Sequence, residues 1–508
     1  MAKAGSPADS LIHEGVERLA GEDYHGAADL FAKAVARDWR NPQARLFLAR
    51  AQGLLGRTDQ CSDEIERLVQ IAQRDPALLI EAGQTLAKFG LFEQALSVYE
   101  KAVERDTGSA SLTRVAEAAE RLSRLEVAAE FSARAIKANP NDHEARLVAA
   151  KVHRRRGNLD LAAGVLQEAL ACDGAPDTIR AKQFYEQATV LDGLGEYAGA
   201  AESLTRAKAC LLAKAEMYRE PAEEAEYALR RMVQELTPER VKNWTQASAT
   251  LPPARVAALI GFPRSGTTLL EQVLDAHPEI ESVEETTHLS SELVTGILRS
   301  VPEAESMAQA LDRVELADVM RCRGHYLEAM AGHMEGEIGN RYILDKNPIR
   351  TLVMPMLRRA IPDSKIITAL RDPRDVVLSN LMQPFDPTPM NLAFLDVEKA
   401  GAFYALNMEG WVRLRDLIGG WVEVRYEDVV VDESKQARRV LDLLGLDWSE
   451  ELTRFREHLA SKAVKSPTYA AVQEKTHTRA VRRWERYTDY LAPALPTLER
   501  VAGLLGYE

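Results

Sequence analysis

Eight consecutive residues, Gly261-Phe-Pro-Arg-Ser-Gly-Thr-Thr268, have the composition of an anion cradle. Glycine permits a sharp turn in which successive N–H groups point inward, and a helix starting just after the turn adds its positive dipole end. The spacing is close to the phosphate loop GxxxxGK[ST], yet Thr267 stands where that motif has Lys. Arg264 is the only cation of the loop. Such a loop suits a phosphate or phosphosulfate held without a metal better than a magnesium triphosphate. A second candidate is LRDPRDVVLSN (Leu370–Asn380), in which Arg371 and Ser379 are eight residues apart. Arg offers a fork of donors to a phosphate and the hydroxyl adds a short hydrogen bond. The competing reading is a network in which Arg371, Asp372, Arg374 and Asp375 pair among themselves.

These residues need elements to position them. VAALIGF (Val256–Phe262) is an apolar run of strand length that leads into the loop. SGTTLLEQVLDAH (Ser265–His277) follows it with Leu269, Leu270, Val273 and Leu274 on one helical face. Further strands are expected at YILD (Tyr342–Asp345), KIITALR (Lys365–Arg371) and WVEVRYED (Trp421–Asp428), with helical periods between and after them. Buried strands alternating with helices predict an α/β domain with a mainly parallel sheet and ligands at the carboxyl ends of its strands.

With these elements in place, PRSGTTLLEQVLDAHP resembles the 5′-phosphosulfate loop of sulfotransferases, which use 3′-phosphoadenosine 5′-phosphosulfate (PAPS). It is most similar to the protein-tyrosine sulfotransferase branch, and the resemblance runs over roughly Ala254–Tyr487. It implies a P-loop-like fold and places PAPS on Arg264, Ser265, Gly266, Thr267 and Thr268. Arg371 and Ser379 match the pair that grips the 3′-phosphate, whereas Gln383 stands where the tyrosylprotein branch has another Arg. Tyr426, in VRYED, matches a nucleotide-contacting Tyr. Arg483, just before Trp484 in THTRAVRRWERY, matches a basic residue of a segment that closes over the nucleotide. Arg482 there replaces a small residue common in bacterial relatives.

Transfer of a sulfuryl group to a hydroxyl needs cations at the leaving phosphate and a base at the acceptor. Glu285, in SVEETTHL, lies twenty-one residues beyond Arg264, the spacing at which the resemblance puts the catalytic Glu. Glu284 is its neighbouring competitor and His288 the alternative base. Lys346, in LDKNP, matches the Lys that stabilises charge on the transferring group, a role Arg264 shares. Thr468, sixteen residues before Trp484, matches a transition-state Ser of the tyrosylprotein branch.

The amino-terminal half has a different logic. GEDYHGAADLFAKA (Gly21–Ala34) recurs as GLFEQALSVYEKA, GNLDLAAGVLQEA and GEYAGAAESLTRA. Aligned small residues at Ala27, Ala95, Ala128, Ala162 and Ala200 are separated by 68, 33, 34 and 38 residues. The first step is a double one, which puts a missing unit near Cys61. This pattern resembles tetratricopeptide repeats and implies six helix pairs stacked as a superhelix. The physical reason agrees: no single pair can bury its apolar face alone, so neighbours must stack. The expected organisation is a repeat array over 9–212, a capping helix and start of linker over 213–244, with the linker proper at Thr245–Val256, and the transferase domain over 254–508.

At 508 residues two or three domains are expected, and a net charge of -13 argues against a nucleic-acid partner. Four scattered cysteines without a CxxC pair and the lack of a long apolar run predict a cytoplasmic protein with no membrane partner. The expected activity is transfer of a sulfuryl group from PAPS, with no metal, to a tyrosine of a protein or peptide held by the array. The rival readings are a magnesium-dependent kinase or NTPase, against which Thr267 argues, and a non-catalytic repeat scaffold that binds nucleotide.

Overall fold

The computed structural model describes residues 7–21, 23–334, 339–455 and 480–507. It divides into two compact units, Met1–Ser203 and Leu204–Glu508. Thr468 lies outside the described residues, as do the first four positions of Thr476–Tyr487.

The first unit is built from eleven consecutive helices and the start of a twelfth. They pair as α1 (Pro7–Ala20) with α2 (Tyr24–Arg37), α3 (Pro42–Leu54) with α4 (Thr58–Ile71), and α5 (Pro76–Lys88) with α6 (Phe92–Val103). The series continues with α7 (Ser109–Arg121) and α8 (Leu125–Ala138), α9 (His143–Arg155) and α10 (Leu159–Ala171), and α11 (Asp177–Leu194) and α12 (Tyr197–Ala215). The unit boundary falls inside α12. Ala27, Cys61, Ala95, Ala128, Ala162 and Ala200 are all fully buried, so Cys61 takes the small-residue position of the second pair. The turn inside a pair needs one left-handed residue. Gly56, Gly90, Gly157 and Gly195 supply it, and Ser123 does so in the fourth pair, at φ 61°. Helices α4 and α6 border a cleft of about 490 Å³ floored by Leu79 and Leu86.

In the second unit, α13 (Arg219–Glu235) and α14 (Pro238–Ala247) precede the sheet. The capping helix expected within 213–244 is broken by a 3-10 turn at Glu216–Tyr218. The first residues of the expected linker belong to α14, because Thr237 caps it and Pro238 starts it. Five parallel strands follow: β1 (Val256–Ile260), β2 (Ile280–Glu284), β3 (Tyr342–Lys346), β4 (Lys365–Leu370) and β5 (Trp421–Arg425), in the order β2-β3-β1-β4-β5. Helix α15 (Thr267–Asp275) packs Leu270, Val273 and Leu274 into the core beside the sheet. The order reverses at β1, which opens a crevice beyond its carboxyl end, between those of β3 and β4. Among the described residues no helix is long and apolar enough to cross a membrane.

Candidate active site

The carboxyl ends of all five strands carry the candidate residues. The loop Gly261–Gly266 leaves β1, Glu284 and Glu285 end β2, Lys346 ends β3, Arg371 follows β4 and Tyr426 follows β5. Parallel register makes this convergence exact in one place: Lys346 lies opposite both Leu259 of β1 and Glu284 of β2.

The loop is tight because its glycines allow it. Gly261 has φ 146°, and a Cβ there would come within 2.4 Å of the Ala369 carbonyl oxygen on β4. Gly266 is left-handed, and a Cβ would meet the Tyr426 ring at 2.6 Å. Phe262 anchors the turn in an aromatic cluster with Phe394, Phe403 and Tyr404 at centroid distances of 5.0–6.0 Å. The helix begins at Thr267, two residues later than the sequence pattern indicates, and ends at Asp275, two residues earlier. Gly266 in the left-handed region cannot be its first turn, so Ser265 and Gly266 stay in the loop. Arg264 itself is left-handed at φ 74°, which for a non-glycine residue is a strained state kept by its surroundings.

Three guanidinium groups gather at this loop. Arg264 Nε donates to Ser379 Oγ at 3.1 Å, and Arg371 Nη1 donates to the Arg264 carbonyl at 3.1 Å. The second arm of Arg371 reaches the Ala480 carbonyl at 2.6 Å, and its guanidinium lies 4.9 Å from the Tyr426 ring centroid. Burial, and then the charges of Arg371 and Arg483, hold the Arg264 guanidinium below its usual pKa. Burial raises the Tyr426 phenol. Ser265 Oγ and Arg371 Nε are buried and have no hydrogen-bond partner among the described residues. Like charges packed together beside unsatisfied donors call for an anion. The residues therefore fit the phosphate groups that the sequence resemblance implies.

One expectation about the neighbourhood is corrected, and the competing reading of Arg371 is not met. Tyr426 is not in a strand: β5 ends at Arg425, and Tyr426 opens a one-turn helix to Val429. The turn brings Glu427 back to accept the Asp372 N–H at 3.0 Å. Of the four charges in the competing network reading, only Arg374 and Asp372 pair closely, at 2.7 and 2.9 Å. Arg371 remains 3.9 Å from Asp375. Asp375 instead accepts the backbone N–H groups of Arg482 and Trp484 at 2.7 and 2.9 Å, pinning the segment that starts the turn Arg483–Tyr487. Arg482 is left-handed at φ 59°, which explains why a small residue suits this position. Gln383 hydrogen-bonds the Ser379 carbonyl at 3.3 Å.

On the other side of the crevice Lys346 is fully buried, one residue beyond the expected end of β3. Its ammonium donates to Glu285 Oε1 at 2.8 Å and Glu284 Oε1 at 3.0 Å, and lies 3.4 Å from Glu271 Oε2. Burial alone lowers such an ammonium, but the three carboxylates outweigh it and raise its pKa. Glu285 is left-handed at φ 47° and is held by its N–H to the Lys346 carbonyl. The alternative base, His288, lies against His333, with the two Nε2 atoms 2.8 Å apart. Burial lowers its pKa.

Sequence reasoning missed β2 and Glu271. IESVE (Ile280–Glu284) is short, polar and at the sheet edge, so it carries no strand pattern. The signal for Glu271 is a carboxylate beside the apolar face of α15, with a Lys ending a buried strand to receive it. Among the described residues no group of three or more His, Cys, Asp or Glu is arranged to hold a metal ion.

Residues 257–450 match the sulfotransferase family model, and residues 18–82, 77–108 and 116–177 match tetratricopeptide-repeat models. An uncharacterized protein of Aquifex aeolicus is 25% identical over 66% of this chain and 43% of its own length. A putative protein-tyrosine sulfotransferase of Caenorhabditis briggsae is 26% identical over 49% of this chain and 87% of its own. Protein-tyrosine sulfotransferase 2 of Gallus gallus is 27% identical over 39% and 53%. The chain thus spans about half the length of some of these relatives. Among solved structures, the sulfotransferase domain from the Synechococcus PCC 7002 olefin synthase is 19% identical, covering 50% of this chain and 96% of its own, at a TM-score of 0.38. The carboxy-terminal unit carries a sulfotransferase-family domain, and the chain joins it to a tetratricopeptide-repeat array.

Proposed function

We propose that the protein is a sulfotransferase that takes its sulfuryl group from PAPS and delivers it to a hydroxyl, with tyrosine of a protein or peptide as the acceptor. The observation that carries the donor is the cluster of Arg264, Arg371 and Arg483 around a loop with an unsatisfied buried hydroxyl. When bound, PAPS supplies an activated sulfuryl group on a phosphate leaving group. Arg371 and Ser379 hold the 3′-phosphate. The loop from Arg264 to Thr268, with the N-terminus of α15, holds the 5′ side, and Tyr426 lies against Arg371 to fix its plane. Lys346 and Arg264 stabilise charge on the leaving side, and Glu285 takes the acceptor proton.

Tyrosine as acceptor rests on the named relatives and on proton chemistry. A phenol gives up its proton more readily than an alkyl hydroxyl, which suits a carboxylate base. The repeat array, of a class that interacts with proteins, supports a protein acceptor. A cytoplasmic location belongs to the same reading and rests on the scattered cysteines. Titration with adenosine 3′,5′-bisphosphate in a calorimeter tests the donor. The wild type is expected to bind it and Arg371→Ala to bind at least about 10-fold more weakly, as for loss of a charged hydrogen-bond fork. Equal affinities would remove the 3′-phosphate assignment.

A further inference from the structure

Around the Lys346 ammonium the three carboxylates are graded by depth. Glu285 is 49% exposed, Glu284 18% and Glu271 2%, while Lys346 is 0% exposed. The ammonium has three hydrogens, and in this state two of them are given to Glu284 and Glu285. The outermost partner is the residue that has to meet an acceptor hydroxyl. Its Oε1 is taken up by the lysine in this state. Lys346, in turn, cannot offer that hydrogen to a leaving phosphate until Glu285 releases it.

Glu271 is placed differently. It stands on the second turn of α15, the helix that starts at the phosphate loop. Its Oε1 accepts from Ser282 Oγ at 2.5 Å, which fixes the carboxyl plane. Its Oε2 is buried, has no hydrogen-bond partner among the described residues and lies 3.4 Å from Lys346 Nζ. We infer that Glu271 is a positioning residue for Lys346: it is the fixed inner partner that keeps the ammonium at the end of β3 when Glu285 lets go. This rests on the sulfotransferase reading and adds to it a residue that touches neither donor nor acceptor.

The arrangement has a proton consequence. One ammonium among three carboxylates leaves excess negative charge in a water-poor place, and the deepest carboxylate is the one that takes up a proton most readily. The charged groups facing Glu271 are Lys346 on β3, Glu284 on β2 and Asp275 on its own helix. Burial pushes Glu271 up to about 7, against the pull of Lys346. An anion arriving at Lys346 should push it further and draw in a proton.

The test compares wild type with Glu271→Gln, which keeps the shape and the Ser282 acceptor but loses the charge. Adenosine 3′,5′-bisphosphate is titrated at pH 7 in two buffers of different ionisation enthalpy. The wild type is expected to take up about half a proton more than the variant, as a group titrating near 7 requires. With a tyrosine peptide as acceptor, kcat of the variant should fall about 10-fold while its KM for PAPS stays within about 3-fold. Because the bound donor raises Glu271 further, the wild-type limb in which kcat rises should lie above pH 7, and it should vanish in the variant. A purely structural residue would lower binding and melting temperature together and leave the pH limb in place. Ser282→Ala provides a second reading if Glu271→Gln does not fold: losing that donor should move the limb to higher pH. Identical proton uptake and pH profiles in wild type and Glu271→Gln would overturn the inference and leave the sulfotransferase reading standing. A wild type that binds no bisphosphate would overturn both.

Discussion

At the scale of single residues, the proposal assigns the base to Glu285 rather than His288. Glu285 is exposed and paired with Lys346, whereas His288 is turned to His333. Replacing Glu285 with Gln should lower kcat by about 100-fold or more, as for loss of a positioned general base. Bisphosphate affinity should change little, since Glu285 is assigned to the acceptor side; steady-state kinetics with calorimetry reads both. A comparable loss in His288→Ala, with Glu285→Gln active, would exchange the two roles. Asp345, beside Lys346 on β3, makes a stability prediction. It accepts from the Tyr326 hydroxyl at 2.8 Å, and burial pushes it up to about 6. A carboxyl whose folded pKa is raised gives stability that is present at pH 4 and lost as pH rises through 6. Compared with Asp345→Asn, the wild type should therefore lose on the order of 2–3 kcal/mol between pH 4 and pH 7. Denaturant midpoints at the two pH values decide it, and parallel shifts of both proteins would refute the assignment.

At the scale of elements, what was legible in the sequence was whatever has a period or a turn signal. The apolar runs of β1, β3 and β4 and the small-residue period of the repeats come from burial that must repeat in space. The Ala positions 27, 95, 128, 162 and 200 therefore located five helix pairs, and Cys61 a sixth. Edge strand β2 was not legible, because its residues face polar partners such as Lys346 and Asp275. The end of β5 was misplaced because Tyr426 suits a strand as well as a helix start. Arg371 and Ser379 were legible as a pair, but their meeting with Arg264 depends on a crossover that no local spacing encodes. The repeat turns make their own prediction. Gly157 is left-handed, and a Cβ there meets nothing within 4 Å, so Gly157→Ala is a test of backbone conformation alone. It should cost about 1 kcal/mol in thermal or chemical unfolding of the array. No change would mean that the turn relaxes freely and is not a constraint on the repeat.

At the scale of the whole molecule, the chain brings together a repeat array and a domain with a graded charge layout. The guanidinium groups of Arg264, Arg371 and Arg483 gather on one side of the phosphate loop, and carboxylates gather around Lys346 on the other. A net charge of -13 makes that local positive cluster the exception on an acidic protein. Electrostatics of this kind favours a small, highly charged donor over an extended polyanion. The most direct measurement of the central claim is transfer of ³⁵S from labelled PAPS to a tyrosine-containing protein or peptide by the full chain. The account predicts label that appears on the tyrosine with wild-type protein and is lost with Glu285→Gln at saturating donor. Bisphosphate binding by the wild type, without any labelled product from a broad set of protein and peptide acceptors, would contradict it.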